Sequence, residues 1–447
     1  MLRLLLAIAI VLLPNSLHVS VNTGIPGLNV SNLLLLLLFG ALAMRQGDPL
    51  DPIPRHGYLA APLVCFFLAV TLGFLIAVMT DPSGDTLGDV TRWKNVIFYP
   101  LFYFVYRRCG QDLRGTRQLI ILVLIVAVAA GVEAISQGMQ FGIGKFVDTQ
   151  RATGPFGDAT MANRAGAFFA MFLPMFAAVA VLVERKAIRV AAVAGCVLLA
   201  TAILFTYSRQ SYLIALLGLL ILLMRRSVPA AFLAGLLFVG SISLFPDSVI
   251  ERVQETRQVD AMGVAEVDHS TASRLDIWGG AIRMWRAHPA GVGLGRFTTH
   301  IGEYSSYPGR DAHNAFVLML SECGPLGLAA MLWLFWRLWR LARLLRQSAT
   351  HNDREMRALS LGFTVAVISM VLSNIYGSAF FEGLIMASFW VLCGLLERYA
   401  GLKLQAARMH AAVPIALRAP PVRLADRFPM AARALPGARV FPDASRQ

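Results

Sequence analysis

Long uninterrupted apolar blocks constrain this chain more than any other feature. About 20 apolar residues suffice to cross a bilayer as a helix. Candidate blocks recur at 2–20, 28–44, 58–79, 93–106, 117–136, 162–183, 187–207, 210–224, 228–245, 313–336, 358–376 and 383–400. Composition agrees, since the chain is 57% hydrophobic and only 15% charged, against about half and a quarter in soluble domains. In lipid each block must satisfy its own backbone hydrogen bonds, and blocks this long fit helices rather than barrel strands. The expected fold is an all-α polytopic membrane protein with about twelve transmembrane helices. The first block, Leu2 to Leu13, lacks a small-residue cleavage site before Pro14 and reads as a retained first span.

The net charge of +14 would suggest nucleic acid in a soluble protein, but here the placement of charge matters more. Arg45 and Arg55, Arg107 to Arg117, Arg185 to Arg189, and Arg225 with Arg226 fall in alternate loops. Arg337 to Arg357 and the basic tail continue the series, while intervening loops such as Asp81–Asp89 are acidic or mixed. Lys and Arg mark the cytoplasmic side, so both termini are expected there and nucleic acid is not an expected partner. Residues 1–245 then hold spans one to nine, 246–312 a large outer loop, 313–402 spans ten to twelve, and 403–447 a basic tail. The tail is rich in Ala, Pro and Arg and is expected to be disordered beside anionic lipid headgroups.

Within the outer loop, Ser273 to Arg286 reads as an amphipathic helix whose apolar positions 278, 281, 282 and 285 share one face. Trp278 and Trp285 are expected toward lipid or core. His288-Pro-Ala-Gly-Val-Gly-Leu-Gly295 ends that helix with breakers. Its glycines follow no strand and do not have the dinucleotide spacing. Pro325 is expected to kink or break the tenth span, either opening a cavity beneath His313 or simply bending the helix. Glu322 beside it needs a partner or water. The five cysteines, Cys65, Cys109, Cys196, Cys323 and Cys393, are scattered and read as packing residues. No metal-ligand spacing and no serine nucleophile elbow occur, so neither metal nor cofactor is expected.

The chemistry-bearing residues gather at the outer rim. Arg209 lies in the tight turn Thr206–Ser211, Arg274 opens the amphipathic helix, Arg151 sits in Arg151–Gly157, and Arg164 follows at the sixth span's outer end. Each reads either as a snorkelling arginine or as part of an anion site, where the guanidinium fork matches phosphate oxygens in pairs. His313 starts a helix, whose positive end disfavours imidazolium. A neutral ring there can act as a general base or be a plain polar cap. Asp311 either orients the ring or caps the helix.

Several of these motifs, in this order, resemble the bacterial O-antigen ligase/O-antigen polymerase (Wzy-type) superfamily. They are Arg151-Ala-Thr-Gly-Pro-Phe-Gly157 with Asn163, Ser208-Arg209, Arg274-Leu-Asp-Ile-Trp278, the 288–295 turn, His313-Asn-Ala-Phe316 and Glu322-Cys-Gly-Pro-Leu-Gly327. Where Gly157 to Asn163 stands, relatives often have a shorter Asn-Pro-Asn. The resemblance implies a GT-C-like membrane glycosyltransferase of the bacterial inner membrane. It would move a glycan from undecaprenyl diphosphate to an acceptor at the periplasmic face, without metal or nucleotide sugar. His313, Arg274 and Arg209 correspond to the catalytic residues, with Arg151, Asn163, Asn314 and Arg164 as substrate contacts. The acceptor separates a ligase acting on lipid A-core from a polymerase lengthening the lipid-linked chain or a relative that glycosylates protein. A transporter or flippase is a reading of a different class, and would be expected to show two related halves.

Overall fold

The computed structural model describes residues 2–19, 30–44, 57–142, 147–225, 227–240, 257–259, 265–267, 269–349 and 353–412. In chain order the helices are α1 Leu2–Leu12, α2 Val30–Met44, α3 Ala60–Thr80, α4 Thr86–Phe98, α5 Leu101–Arg107, α6 Leu113–Phe141 and α7 Ala162–Leu182. There follow α8 Lys186–Phe205, α9 Arg209–Met224, α10 Val228–Gly240, α11 His269–Ala287, α12 Ala315–Ser348, α13 Arg354–Ser373 and α14 Gly383–Ala412. A two-stranded antiparallel hairpin, Arg257–Val259 with Ala265–Val267, precedes α11. The fold is otherwise helical, as expected of a polytopic membrane protein.

Within the described residues the expected spans lie largely on helices, while 20, 28–29 and 241–245 fall outside them. Among the described residues seven helices, on α3, α6, α7, α8, α12, α13 and α14, are long and apolar enough to cross a membrane, and α1, α2 and α9 are apolar but shorter. The block at 93–106 is two helices rather than one. Tyr99 and Pro100 separate α4 from α5, and a proline supplies no amide hydrogen for a continuous helix. At the other end, α14 runs past the expected boundary to Ala412, where Leu402 to Arg408 are mostly good helix formers. The rest of the tail, from 413, lies outside the described residues, as do Arg45, Arg55 and Arg226.

Helix α7 is buried along most of its length and packs against α13, α8 and α9. Its Ala and Gly positions permit that approach, since small residues let helix backbones come close in a membrane protein. A β-carbon on Gly166 would collide with the Ser211 hydroxyl on α9. At the end of the bundle remote from His313, Glu397 accepts hydrogen bonds from Arg107 Nε at 2.6 Å, the Tyr103 hydroxyl at 2.5 Å and the Tyr58 amide at 2.8 Å. A buried carboxylate needs that degree of satisfaction to be tolerated.

Helix α12 is broken at Gly324, whose backbone is non-helical (φ 66°, ψ −170°), one residue before Pro325. Segment 288–295 packs into the break. The Val292 and Gly293 amides donate to the Ser321 and Glu322 carbonyls at 2.9 and 3.0 Å, and the Leu294 amide donates to Gly73 O of α3 at 2.9 Å. Gly73 stands seven residues before the end of α3, so the segment reaches roughly 10 Å along that helix. Irregular backbone at such a depth is tolerated only where protein surrounds it. A β-carbon on Gly293 (φ 100°) would lie 2.5 Å from the Ala77 Cα, and one on Gly324 would lie 2.8 Å from the Ala290 carbonyl oxygen. The Glu322 carboxylate turns back to accept the Phe297 amide at 3.2 Å.

Helix α11 buries Ile277, Ala281 and Met284 against Val292, Phe297, Ile301 and Ala312. This face is rotated from the expected one, because Ile282 is exposed and Ile277 takes its place inward. The core it meets is the chain's own 292–312 segment, and Trp278 packs there too. That segment is pinned to the α3–α4 turn by Arg296. Its guanidinium donates to both oxygens of Asp89 at 2.8 and 2.7 Å and to the Asp81 carbonyl at 2.8 Å. The pair with Arg296 holds the Asp89 carboxyl down at about 2.

Candidate active site

Among the described residues two non-glycine positions have left-handed backbone, Tyr207 (φ 49°) and His313 (φ 45°). The conformation costs about 1–2 kcal/mol for an L-residue, and such strain concentrates at functional sites. Both residues flank a helix start. Ser208 caps α9, its hydroxyl accepting the Ser211 amide. Asn314 caps α12, its Oδ1 accepting the Phe316 and Val317 amides at 2.9 and 3.1 Å. The Asn314 side chain is therefore engaged by the helix, and the ring of His313 is left pointing outside the cap.

One turn of chain joins the two helix starts. The Ala315 amide of α12 is shared between Asn374 O at 2.9 Å and Gly377 O at 3.0 Å. Gln210, next to Arg209, donates from Nε2 to Ser373 O at 2.7 Å. Segment 373–377 thus links Gln210, the neighbour of Arg209, to Ala315, two residues after His313. Arg274 arrives on α11. One helical turn on, Trp278 donates from Nε1 to Ala312 O at 2.7 Å and packs its ring 6.0 Å from that of Tyr376. Residues four apart share a helix face, so this anchor sets Arg274 on the side of α11 that faces 312 and 376.

Arg151 and Asn163 form a second layer. Arg151, 9% exposed, donates from Nε to Thr206 O at 3.0 Å and from Nη2 to Asn163 Oδ1 at 2.6 Å. It ties the 147–161 segment to the α8–α9 turn and to α7. Gln137 holds the same segment from α6, accepting the Thr153 and Gly154 amides at 3.0 and 2.9 Å. Arg164 pairs with Glu382, at the start of α14, at 3.1 Å. Glu382 also lines a cavity of about 340 Å³ with Asn95, Tyr99 and Phe381.

The ring of His313 is half-exposed, and its Nδ1 lies 3.6 Å from Asp311 Oδ2. Asp311 also accepts the Ser378 hydroxyl at 3.4 Å, so it stands beside the ring while Asn314 does the capping. Burial pushes the imidazole below its ordinary value. Asp311 opposes that, and the charges of Arg274, Arg164 and Arg310 add to the lowering. The ring is thus favoured neutral, as expected, through burial and guanidinium charge.

Of the seven expected residues, Arg151 bonds Asn163, the charges of Arg274 and Arg164 act on the His313 ring, Asn314 caps the helix next to it, and Arg209 adjoins Gln210, which bonds the 373–377 turn. Sequence reasoning assigned no role to Arg310, Glu382 or the 373–377 turn. Glu382 was the findable one, as a lone carboxylate between the last two spans. Chemically, the arrangement offers a neutral proton acceptor at the edge of a cluster of fixed positive charges, which suits a reaction that releases an anion.

No curated protein matches the chain significantly. Residues 194–332 match the family model for O-antigen ligase. The matched span holds Arg209, Arg274, His313 and the Gly324 break, while Arg151, Asn163 and Arg164 precede it. Over that span, about a third of the chain, the sequence is similar to the O-antigen ligase family.

Proposed function

We propose that the chain is an O-antigen ligase-like glycosyltransferase with about twelve crossings and a GT-C-like architecture. It takes a glycan from undecaprenyl diphosphate and joins it to a lipid A-core hydroxyl at the periplasmic face of the bacterial inner membrane. The observation that carries the reading is that the charges of Arg274, Arg164 and Arg310 all act on the His313 imidazole, while the 373–377 turn bonds both Gln210, next to Arg209, and the Ala315 amide.

The acceptor oxygen attacks the anomeric carbon while the carbon–oxygen bond to the diphosphate breaks, with inversion. The hydroxyl proton passes to His313, and the bonding pair leaves on the diphosphate oxygen. Diphosphate leaves readily, so the main demands are charge stabilisation and a base. A preorganised donor contributes about 3 kcal/mol to such a barrier, and a positioned base about 100- to 10,000-fold. Arg209 and Arg274 hold the diphosphate. Arg151 and Asn163 keep the α8–α9 turn in place, and Asn314 fixes the backbone that presents the ring.

The test uses membranes supplied with undecaprenyl-linked glycan and lipid A-core. His313→Ala and Arg274→Ala are expected to remove transfer while the protein remains in the membrane. Full transfer by either variant would overturn the assignment. A lengthened lipid-linked chain instead of a lipid A-core product would make the activity a polymerase.

A further inference from the structure

A second charged site lies at the opposite end of the bundle. From Ala315 to Arg343 helix α12 advances on the order of 40 Å, and there a cavity of about 660 Å³ opens between the ends of α7, α9, α12 and α13. Arg225, Arg343, Arg346 and Arg357 line it together with Trp339 and Leu361. All four arginines are exposed. They come from three separate parts of the chain: the end of α9, the last turns of α12, and the start of α13. Trp339, Arg343 and Arg346 lie on one stripe of α12, at the four- and three-residue spacing that places side chains on the same face.

Positive charge on loops accounts for where arginines occur along a membrane chain, but not for their meeting around one cavity. Like charges brought together repel unless an anion joins them, and no carboxylate is among the described residues that line this cavity. Arg357 is engaged electrostatically by its surroundings, which sets it apart from the other three. Glu184 pairs with Arg354. Asp353 bonds Lys403 at 2.7 Å, although it also feels the charge of Arg357. The remaining lining is apolar or weakly polar, with Leu361 and Ala342 on adjoining helices and Trp339 between them and the arginines. Tryptophan favours the headgroup level of a bilayer, and basic pockets between spans bind phosphate-bearing lipid headgroups. The cavity is also far larger than an inorganic phosphate requires.

We propose that this cavity is a binding site for an anionic phospholipid of the adjacent leaflet, its phosphate held by Arg343, Arg346 and Arg225 and its acyl chains lying along Leu361 and Trp339. The site is separate from the His313 cluster and does not depend on the glycosyltransferase reading.

The experiment is native mass spectrometry of the purified full chain in detergent, with thermal unfolding in parallel. Phosphatidylglycerol and cardiolipin are compared with phosphatidylcholine and with inorganic phosphate. Anionic lipid is expected to be retained and to raise the unfolding midpoint, whereas phosphatidylcholine and phosphate do neither. Each guanidinium removed should weaken retention about fivefold, so Arg343→Gln with Arg346→Gln should weaken it about 25-fold. Arg340→Gln, which lies against Trp336 outside the cavity, should bind as the unaltered chain does. Should the double substitution impair folding, Arg225→Gln alone makes the fivefold prediction from a different helix. Equal retention of phosphatidylcholine, unchanged binding by the cavity variants, or equal stabilisation by inorganic phosphate would each overturn the proposal.

Discussion

Replacing Gly293 by Ala isolates what the buried 288–295 segment contributes. The new β-carbon would sit 2.5 Å from the Ala77 Cα and 2.6 Å from the Ala77 backbone nitrogen, both in the helical backbone of α3. Helical backbone does not yield as a side-chain tip does, so the segment must lift out of the α12 break. Two penalties combine. The left-handed φ of 100° costs an L-residue about 1–2 kcal/mol, and overpacking a well-filled site adds about 1–3 kcal/mol. The expected loss is roughly 2–5 kcal/mol. Gly309 supplies the control, because its φ is 71° and a β-carbon there would meet nothing within 4 Å. Gly309→Ala should show only the backbone penalty. Thermal unfolding of both variants in detergent, alongside a transfer assay, gives the comparison. Gly293→Ala should unfold well below Gly309→Ala and lose transfer although His313, Arg209 and Arg274 are intact, because lifting 292–294 displaces the core on which α11 rests. Equal midpoints and full transfer in both variants would refute the view that this segment positions the site.

Other consequences can be measured on the same preparations. Transfer should persist below the pH at which an ordinary histidine titrates, because the His313 ring is held low. Arg274→Gln removes a charge that lowers the ring, so any residual activity should lose its acid limb at higher pH. Asp311→Asn removes the opposing carboxylate and should move that limb to lower pH, and a pH–rate profile of each variant reads both shifts. Arg151→Met leaves Asn163 Oδ1 and the Thr206 carbonyl without this donor, and should cost about 1–3 kcal/mol in a denaturation assay. For Asp89, the folded carboxyl near 2 lies below the ordinary 3.8, so its contribution is present above 3.8 and is lost as pH falls toward 2. That contribution is roughly 2 kcal/mol, and Arg296→Gln should flatten the acid-stability curve over this window.

The apolar helices were legible because their signal is local: a long apolar run favours a helix with a buried or lipid-facing surface whatever its neighbours are. The break in α12 was legible for the same reason, since Gly324 and Pro325 act on their own backbone. The failures are non-local. Nothing around Gly291 to Gly295 states that the segment enters a gap between α3 and α12, because the proof is the fit of Gly293 against Ala77, more than two hundred residues away in sequence. The inward face of α11 was misplaced because Trp278 and Ile282 look equally apolar in sequence, and only the 292–312 core distinguishes them. The position of Arg151 was identified but not its clasp, which depends on a carbonyl at 206 that carries no sequence signature. Arg209, Arg274 and His313 were singled out through short motifs, whereas Arg310 comes to act on the ring only through folding.

The Trp278 anchor sets the site's tolerance to its surroundings. Spans tilt and shift to match bilayers of different thickness. Arg274 and His313, however, are registered through Trp278 and Ala312, a local frame between α11 and the chain just before α12. Arg209 is registered through the ends of α9 and α13, so the geometry between Arg209 and the other two is the part of the cluster that a change of bilayer thickness reaches.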